Sequence, residues 1–167
     1  MRAHLSWWAA LAGAVLVQSA LLPWILPAPW VPDLSRSLTL WVALTGLPRG
    51  GPVLAFAAGA AVDLVSGAPI GFHGALRLLL YTAARPFRGV FFDDRPELMP
   101  PFAALGAVAD AGGAWVLSWV AFPTQLSLSV VFATAWRQAL LDAFLVPGVF
   151  VALELAALRR PAPEVPQ

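Results

Sequence analysis

Six polar side chains lie inside otherwise apolar stretches of this sequence: Gln18, Asp63, Arg77, Asp110, Gln138 and Asp142. An ionisable group in hydrocarbon is costly and is normally kept for a purpose. Two purposes compete here. Asp63 or Asp110 can pair with Arg77 while the glutamines fill the remaining hydrogen bonds, giving an ion-pair network that fixes helix register. Alternatively, three acids for one base leave a surplus, which suits a polar cavity for a solute or a protonated carboxyl. The densest constellation is Asp63-Leu-Val-Ser-Gly-Ala-Pro-Ile-Gly-Phe-His73. It joins two apolar runs through a Ser-Gly-Ala-Pro turn that is too short to leave the bilayer surface. His73 reads as a hydrogen-bonded cap or interface residue rather than a base.

Other chemistry finds no residues to carry it. The sequence has no GxSxG, no HExxH and no P-loop, and Gly50-Gly51 is a turn because no Gly-Lys-Ser/Thr follows it. There is no cysteine, which excludes thiol catalysis, disulfides and cysteine metal sites. His4 and His73 are far apart and lack a plausible ligand set. Asp93-Asp94 sits among Arg85, Arg88 and Arg95, which reads as a salt-bridged loop and not as a cation site. The expectation is a protein without catalytic residues, cofactor or metal. A net charge of +1 gives no reason to expect nucleic acid as a partner.

Composition sets the elements that must hold these groups. The chain has 167 residues, 60% hydrophobic and 11% charged. Soluble domains carry about a quarter charged residues. An all-α integral membrane protein in one domain over residues 1–160 is therefore expected. The tail 161–167, with three prolines, is expected to be disordered. Six apolar segments follow one another: Leu5–Leu22, Leu34–Leu47, Val53–Val65, Ile70–Ala84, Leu98–Phe122 and Arg137–Leu158. The second and third are short, since about 20 residues are needed to cross a core of ~30 Å and 14 residues reach only about 21 Å. They read as two short spans in a bundle of about six transmembrane helices.

Arginine placement favours that arrangement. With a cytoplasmic N-terminus, Arg2, Arg49, Arg85, Arg88, Arg95, Arg159 and Arg160 fall on the cytoplasmic side, Arg36 and Arg137 outside, and Arg77 within the membrane. That is the bias of the positive-inside rule. A cleaved signal peptide ending near Val17-Gln-Ser19 is the weaker rival. The stretch Thr124–Trp136 is ambiguous: Leu126, Leu128 and Val130 alternate with serines as in a strand, while its length also suits an interfacial helix. Tryptophans 24, 30, 115, 119 and 136 gather toward the outer face, as interfacial anchors do.

Small residues point to close helix contacts. Gly59 precedes Asp63 by four residues and Gly106 precedes Asp110 by four, which puts each glycine and its acid on one helix face. Ala10 and Ala14 give the first segment a flat face for a helix of this chain or of a partner.

These residues carry a resemblance. Gly59-Ala-Ala-Val-Asp63, then Ser66-Gly-Ala-Pro-Ile-Gly71, then His73 resembles the link between the third and fourth helices of MreD, the rod-shape-determining membrane protein family of bacteria. Length, six segments, a basic loop after the fourth and a basic C-terminal end also match. Ile70 stands where leucine is usual, and Arg77 is an unusual charge for that helix. The resemblance implies a non-enzymatic scaffold in the bacterial inner membrane with both termini cytoplasmic. It implies direct binding to MreC, and through it to the transpeptidase PBP2 and the polymerase RodA, with MreB filaments beneath the inner leaflet. Asp63, Ser66, Gly67, Pro69, Gly71 and His73 would form a structural clasp. Arg77, Asp110, Asp142, Gly59, Gly106, Ala10 and Ala14 would shape the structural or partner-binding faces. The resemblance also implies a helical arrangement similar to that of substrate-binding subunits of energy-coupling-factor vitamin transporters, so a solute-binding subunit is the alternative. Against it, such subunits seal their pockets with loops rich in Asn, Tyr and Trp, whereas this chain has no Asn and one Tyr.

Overall fold

The computed structural model describes residues 2–27, 30–45, 50–89, 96–121 and 127–158. Among them there is helix and turn but no strand. Helix α1 (Arg2–Leu16) passes through a π-helical turn (Val17–Leu21) into the short α2 (Leu22–Ile25). Then come α3 (Leu34–Thr45), α4 (Gly51–Ser66), α5 (Phe72–Ala84), α6 (Met99–Ala121) and α7 (Leu128–Leu158). Single 3-10 turns follow α5 and precede α6. With α1, the π turn and α2 taken as one rod, six rods correspond to the six apolar segments. Three of them are long and apolar enough to cross a membrane, over Trp8–Ile25, Met99–Val120 and Leu128–Ala152, while α4 is apolar but shorter. The acidic loop at 90–95, the turn at 46–49 and the tail beyond 158 lie outside the described residues.

The largest departure from the sequence reading is α7. It begins at Leu128 rather than Arg137, so the alternating stretch from Leu128 to Trp136 is helix, not strand. Ser127 explains the start. Its carbonyl accepts the Val130 and Val131 amides, each at 3.1 Å, and its Oγ lies 3.4 Å from the Val130 amide. A serine that caps free amides in this way nucleates helix whatever the alternation downstream. At 31 residues the helix is about 46 Å long. The tryptophans cluster at this end: Trp30 packs edge-on against Trp136 at 6.3 Å, Trp115 against Trp119 at 5.8 Å, and Arg137 lies over the Trp136 ring.

Helix α3 is the hub. Every residue from Ser35 to Leu44 is buried, and α1, α4, α5, α6 and α7 all contact it. A helix enclosed on every side need not match the bilayer thickness, which accounts for its 12 residues. Its hydroxyls are silenced locally: Thr39 Oγ1 donates to the Ser35 carbonyl and Ser37 Oγ to that of Asp33. Around it, Leu40, Trp41 and Val42 meet Leu54 and Ala58 of α4, Leu80 and Tyr81 of α5, and Phe150 of α7 in one core. Helix α1 turns Leu11 and Val15 inward, with Ala10 and Ala14 half-buried beside them, so its small-residue face is partly used within the chain.

Helices α4 and α5 form a tight antiparallel hairpin. Gly67 (φ 71°) ends α4 and Gly71 (φ 94°) opens α5, both in the left-handed region where a Cβ is strained. Gly59 lies so close to α5 that a Cβ there would sit 2.1 Å from the His73 carbonyl oxygen. Replacing Gly59 by Ala is therefore expected to force the helices apart and cost ~1–3 kcal/mol. Gly112→Ala, where nothing lies within 4 Å, is expected to leave stability unchanged or slightly raised. Thermal unfolding in detergent, followed by circular dichroism, checks both.

Candidate functional site

The Asp63–His73 constellation is a clasp across the hairpin. The first amides of a helix have no intrahelical partner, and at membrane depth no water supplies one. Asp63, near the end of α4, supplies it for α5. Its Oδ2 accepts the Gly71 amide at 2.8 Å and lies 3.4 Å from that of Gly74. Its Oδ1 accepts the His73 amide at 2.9 Å. The negative carboxylate also faces the positive end of the α5 dipole. His73 Nδ1 lies 2.7 Å from the same Oδ1, so the ring proton belongs on Nδ1. Asp63 is buried, while the turn residues Ser66, Gly67, Pro69 and Ile70 are exposed. The carboxylate thus has four hydrogen bonds of its own, and it never reaches Arg77. Of the two acids expected as alternative partners for Arg77, Asp63 is therefore excluded and Asp110 is the partner.

A second polar assembly lies deeper, between α3, α5, α6 and α7. Arg77 of α5, fully buried, donates Nη1 to Asp110 of α6 and Nη2 to Asp33, with Nε 3.2 Å from Ser35 Oγ. Arg36 of α3, 3% exposed, donates Nε to Asp142 Oδ2 of α7 at 2.5 Å and Nη2 to Gln138 Oε1 at 2.9 Å. Its Nη1 lies 3.4 Å from Asp110 Oδ2. Asp110 therefore touches both guanidinium groups, one with each oxygen. The order Asp142–Arg36–Asp110–Arg77–Asp33 alternates in sign and begins and ends on an acid. Three carboxylates face two guanidinium groups, a surplus of one negative charge. Asp142 Oδ1 is buried and has no hydrogen-bond partner among the described residues.

The same assembly starts α3. Asp33 is its N-cap: Oδ1 accepts the Arg36 amide at 3.0 Å and the Ser35 hydroxyl at 2.6 Å. The Ser35 amide is taken by Gln18 Oε1 of the π turn at 3.1 Å. Gln138 Nε2 donates to the Val31 carbonyl at 2.9 Å and so pins the loop before α3. Burial raises the Asp33 carboxyl, but the charges of Arg77 and Arg36 outweigh it and hold the group well below the usual carboxylate range.

Sequence reasoning found Arg77, Asp110, Asp142, Gln18 and Gln138, and all five belong to this assembly. Counting Arg36 among the outer charges is corrected: it is buried and is the second base of the assembly. Sequence reasoning missed Asp33, the residue just before the second apolar segment. The signal was present: an aspartate immediately before an apolar run is a helix N-cap pattern. Gly106 faces inward, its Cβ direction 3.4 Å from Leu40 of α3. Among the described residues no three metal-ligating side chains converge. No family model matches the chain, and neither a curated protein nor a solved structure matches it.

Removing Arg77 leaves Asp33 without its ion-pair partner and Asp110 with Arg36 alone, so Arg77→Leu is expected to destabilise by ~3–5 kcal/mol. Asp142→Asn keeps an acceptor for Arg36 while removing the surplus charge, and is expected to be neutral or stabilising. Melting temperatures of the two variants against the parent check this contrast. A lowered Asp33 value means that its stabilisation is complete above the unfolded value, about 3.9, and fades as pH falls below it. The parent is expected to lose melting temperature below that pH, and Asp33→Asn to lose less over the same interval.

Proposed function

We propose that this chain is a non-enzymatic scaffold of the bacterial cell-elongation machinery, of the MreD kind. On this reading it crosses the inner membrane six times with both termini in the cytoplasm. It binds the single helix of an MreC-like protein, and through that partner helps control peptidoglycan synthesis by PBP2 and RodA, close to MreB. One observation carries the reading: the charges at membrane depth are committed to one another and to helix ends, which makes a stiff body rather than a carrier. Asp63, Gly67, Gly71 and His73, the residues on which the resemblance rests, have defined work in that body as a clasp. With Arg36 buried, Arg137 is left as the outer arginine against seven on the other side.

On this reading the partner helix sits on α6. The glycine face of α4 is used up against α5, and Gly106 of α6 faces the hub. The opposite side of α6 is open: Leu105, Val108, Gly112 and Val116 are exposed, and nothing lies within 4 Å of the Gly112 Cβ position. A small residue between larger ones on a lipid-facing stripe lets another backbone approach closely.

Co-expression with a tagged MreC-like protein, followed by co-purification, tests the proposal. Capture is expected with the parent, and Gly112→Leu, a substitution the fold accommodates, is expected to reduce it by about tenfold, equivalent to ~1.4 kcal/mol. Asp63→Leu is expected to abolish capture by loosening the hairpin. Failure of the parent to capture the partner, together with a small solute that co-purifies and stabilises on re-addition, would replace the scaffold by the solute-binding alternative.

A further inference from the structure

Between α1 and α4 runs a groove of about 240 Å³. Val15 of α1 and Val62 of α4 line its deep end, and Val65 of α4 and Val31 of the pinned loop line its upper part. Gln18 and Ser19 of the π turn and Ser66 of the hairpin turn lie at its mouth. Both helices run toward the hairpin turn, so their later residues are the shallower ones. The groove is thus apolar in depth and carries its polar side chains at the rim, where Val31 and Val65 stand beside them.

The rim offers hydrogen-bond donors. Gln18 Oε1 is engaged with the Ser35 amide, which leaves the two N–H bonds of Nε2, and among the described residues nothing accepts from them. Ser66 Oγ lies 3.4 Å from the Ala68 amide as acceptor, so its own proton is available. Ser19 Oγ donates to the Val15 carbonyl at 2.6 Å and presents lone pairs. The π turn that carries Gln18 and Ser19 closes with the Leu22 amide on the Val17 carbonyl, an irregularity frequently found at functional sites.

We propose that this groove holds one acyl chain of a bilayer glycerophospholipid, with its ester or phosphate oxygens accepting from Gln18 and Ser66. The open form of the groove decides against a compact solute, whose sites enclose most of the ligand's surface. Polarity decides against a partner helix. A transmembrane helix carries its apolar residues along its whole length, and beside this groove it would bury the Gln18 donors without an acceptor, which is costly. A phospholipid has the matching gradient, with acceptors at one end and hydrocarbon along the rest.

The test uses the full chain in nanodiscs of phosphatidylethanolamine and phosphatidylglycerol, doped with phosphatidylethanolamine carrying a diazirine on one acyl chain. After irradiation, adducts are mapped by mass spectrometry. They are expected to concentrate on Val15–Ser19 and Val62–Ser66, about tenfold over the exposed α6 stripe. Val65→Trp fills the groove from a side chain that is already more than half exposed, so the fold tolerates it. That variant is expected to remove the groove adducts and leave those on α6 unchanged, at a parental melting temperature. Adducts spread evenly over the exposed helices would overturn the proposal, as would a Val65→Trp pattern identical to the parent. So would groove adducts that disappear when a single-span partner is co-reconstituted, because the occupant would then be a helix.

Discussion

Asp110 touches Arg36 with one oxygen and Arg77 with the other, and the rest of the architecture depends on that bridge. Charges of opposite sign attract far more strongly away from water than in it. Removing them from water is equally expensive, so a buried pair adds little net stability but is severely damaged by loss of one partner. The arrangement therefore acts mainly on specificity. Arg36 brings α3, Asp110 brings α6, Arg77 brings α5 and Asp142 brings α7. A shift of any one helix by a turn would separate a guanidinium group from its acid. Lipid supplies almost no hydrophobic drive to hold helices in register, which leaves polar contacts and close packing to do it.

Polar and apolar tasks are divided between the two ends of the bundle. At the end with the hairpin turn, helix starts need partners. Asp63 caps α5 and Asp33 caps α3, each with a carboxylate facing a positive helix end. Toward the opposite end, contact is steric. Gly51 lies against the Tyr81 ring, where a Cβ would meet the phenol at 2.5 Å, and Leu44, Leu54 and Ala84 close the core. Helix α3 connects the two regimes, polar where it begins and apolar where it ends.

Much of this was legible in the residues. Six apolar segments gave six rods, because length and apolarity survive any change in packing. The acid–turn–histidine sequence gave the clasp, because a carboxylate beside two glycines and a histidine has few other uses at that depth. The pairing pattern was less legible. Arg36 lies near the edge of a short segment, and sequence distance from an edge does not reveal that the first turn of α3 is enclosed by α5, α6 and α7. Position 77 looked singular as a base only because its counterpart had been placed in water. The helix start at Leu128 was obscured by a two-residue alternation that a single capping serine overrides.

Gln18 has a consequence that its modest size conceals. Its carbonyl oxygen holds the first turn of α3, while its amino group faces the groove beside α4. The two ends of one planar amide share electrons, so an acceptor drawn to the nitrogen side makes the oxygen side a stronger acceptor. A lipid acceptor in the groove would thereby be joined to the charged interior through a single conjugated group. Chemistry at the protein's outer skin can tighten or relax the place where its central helix begins.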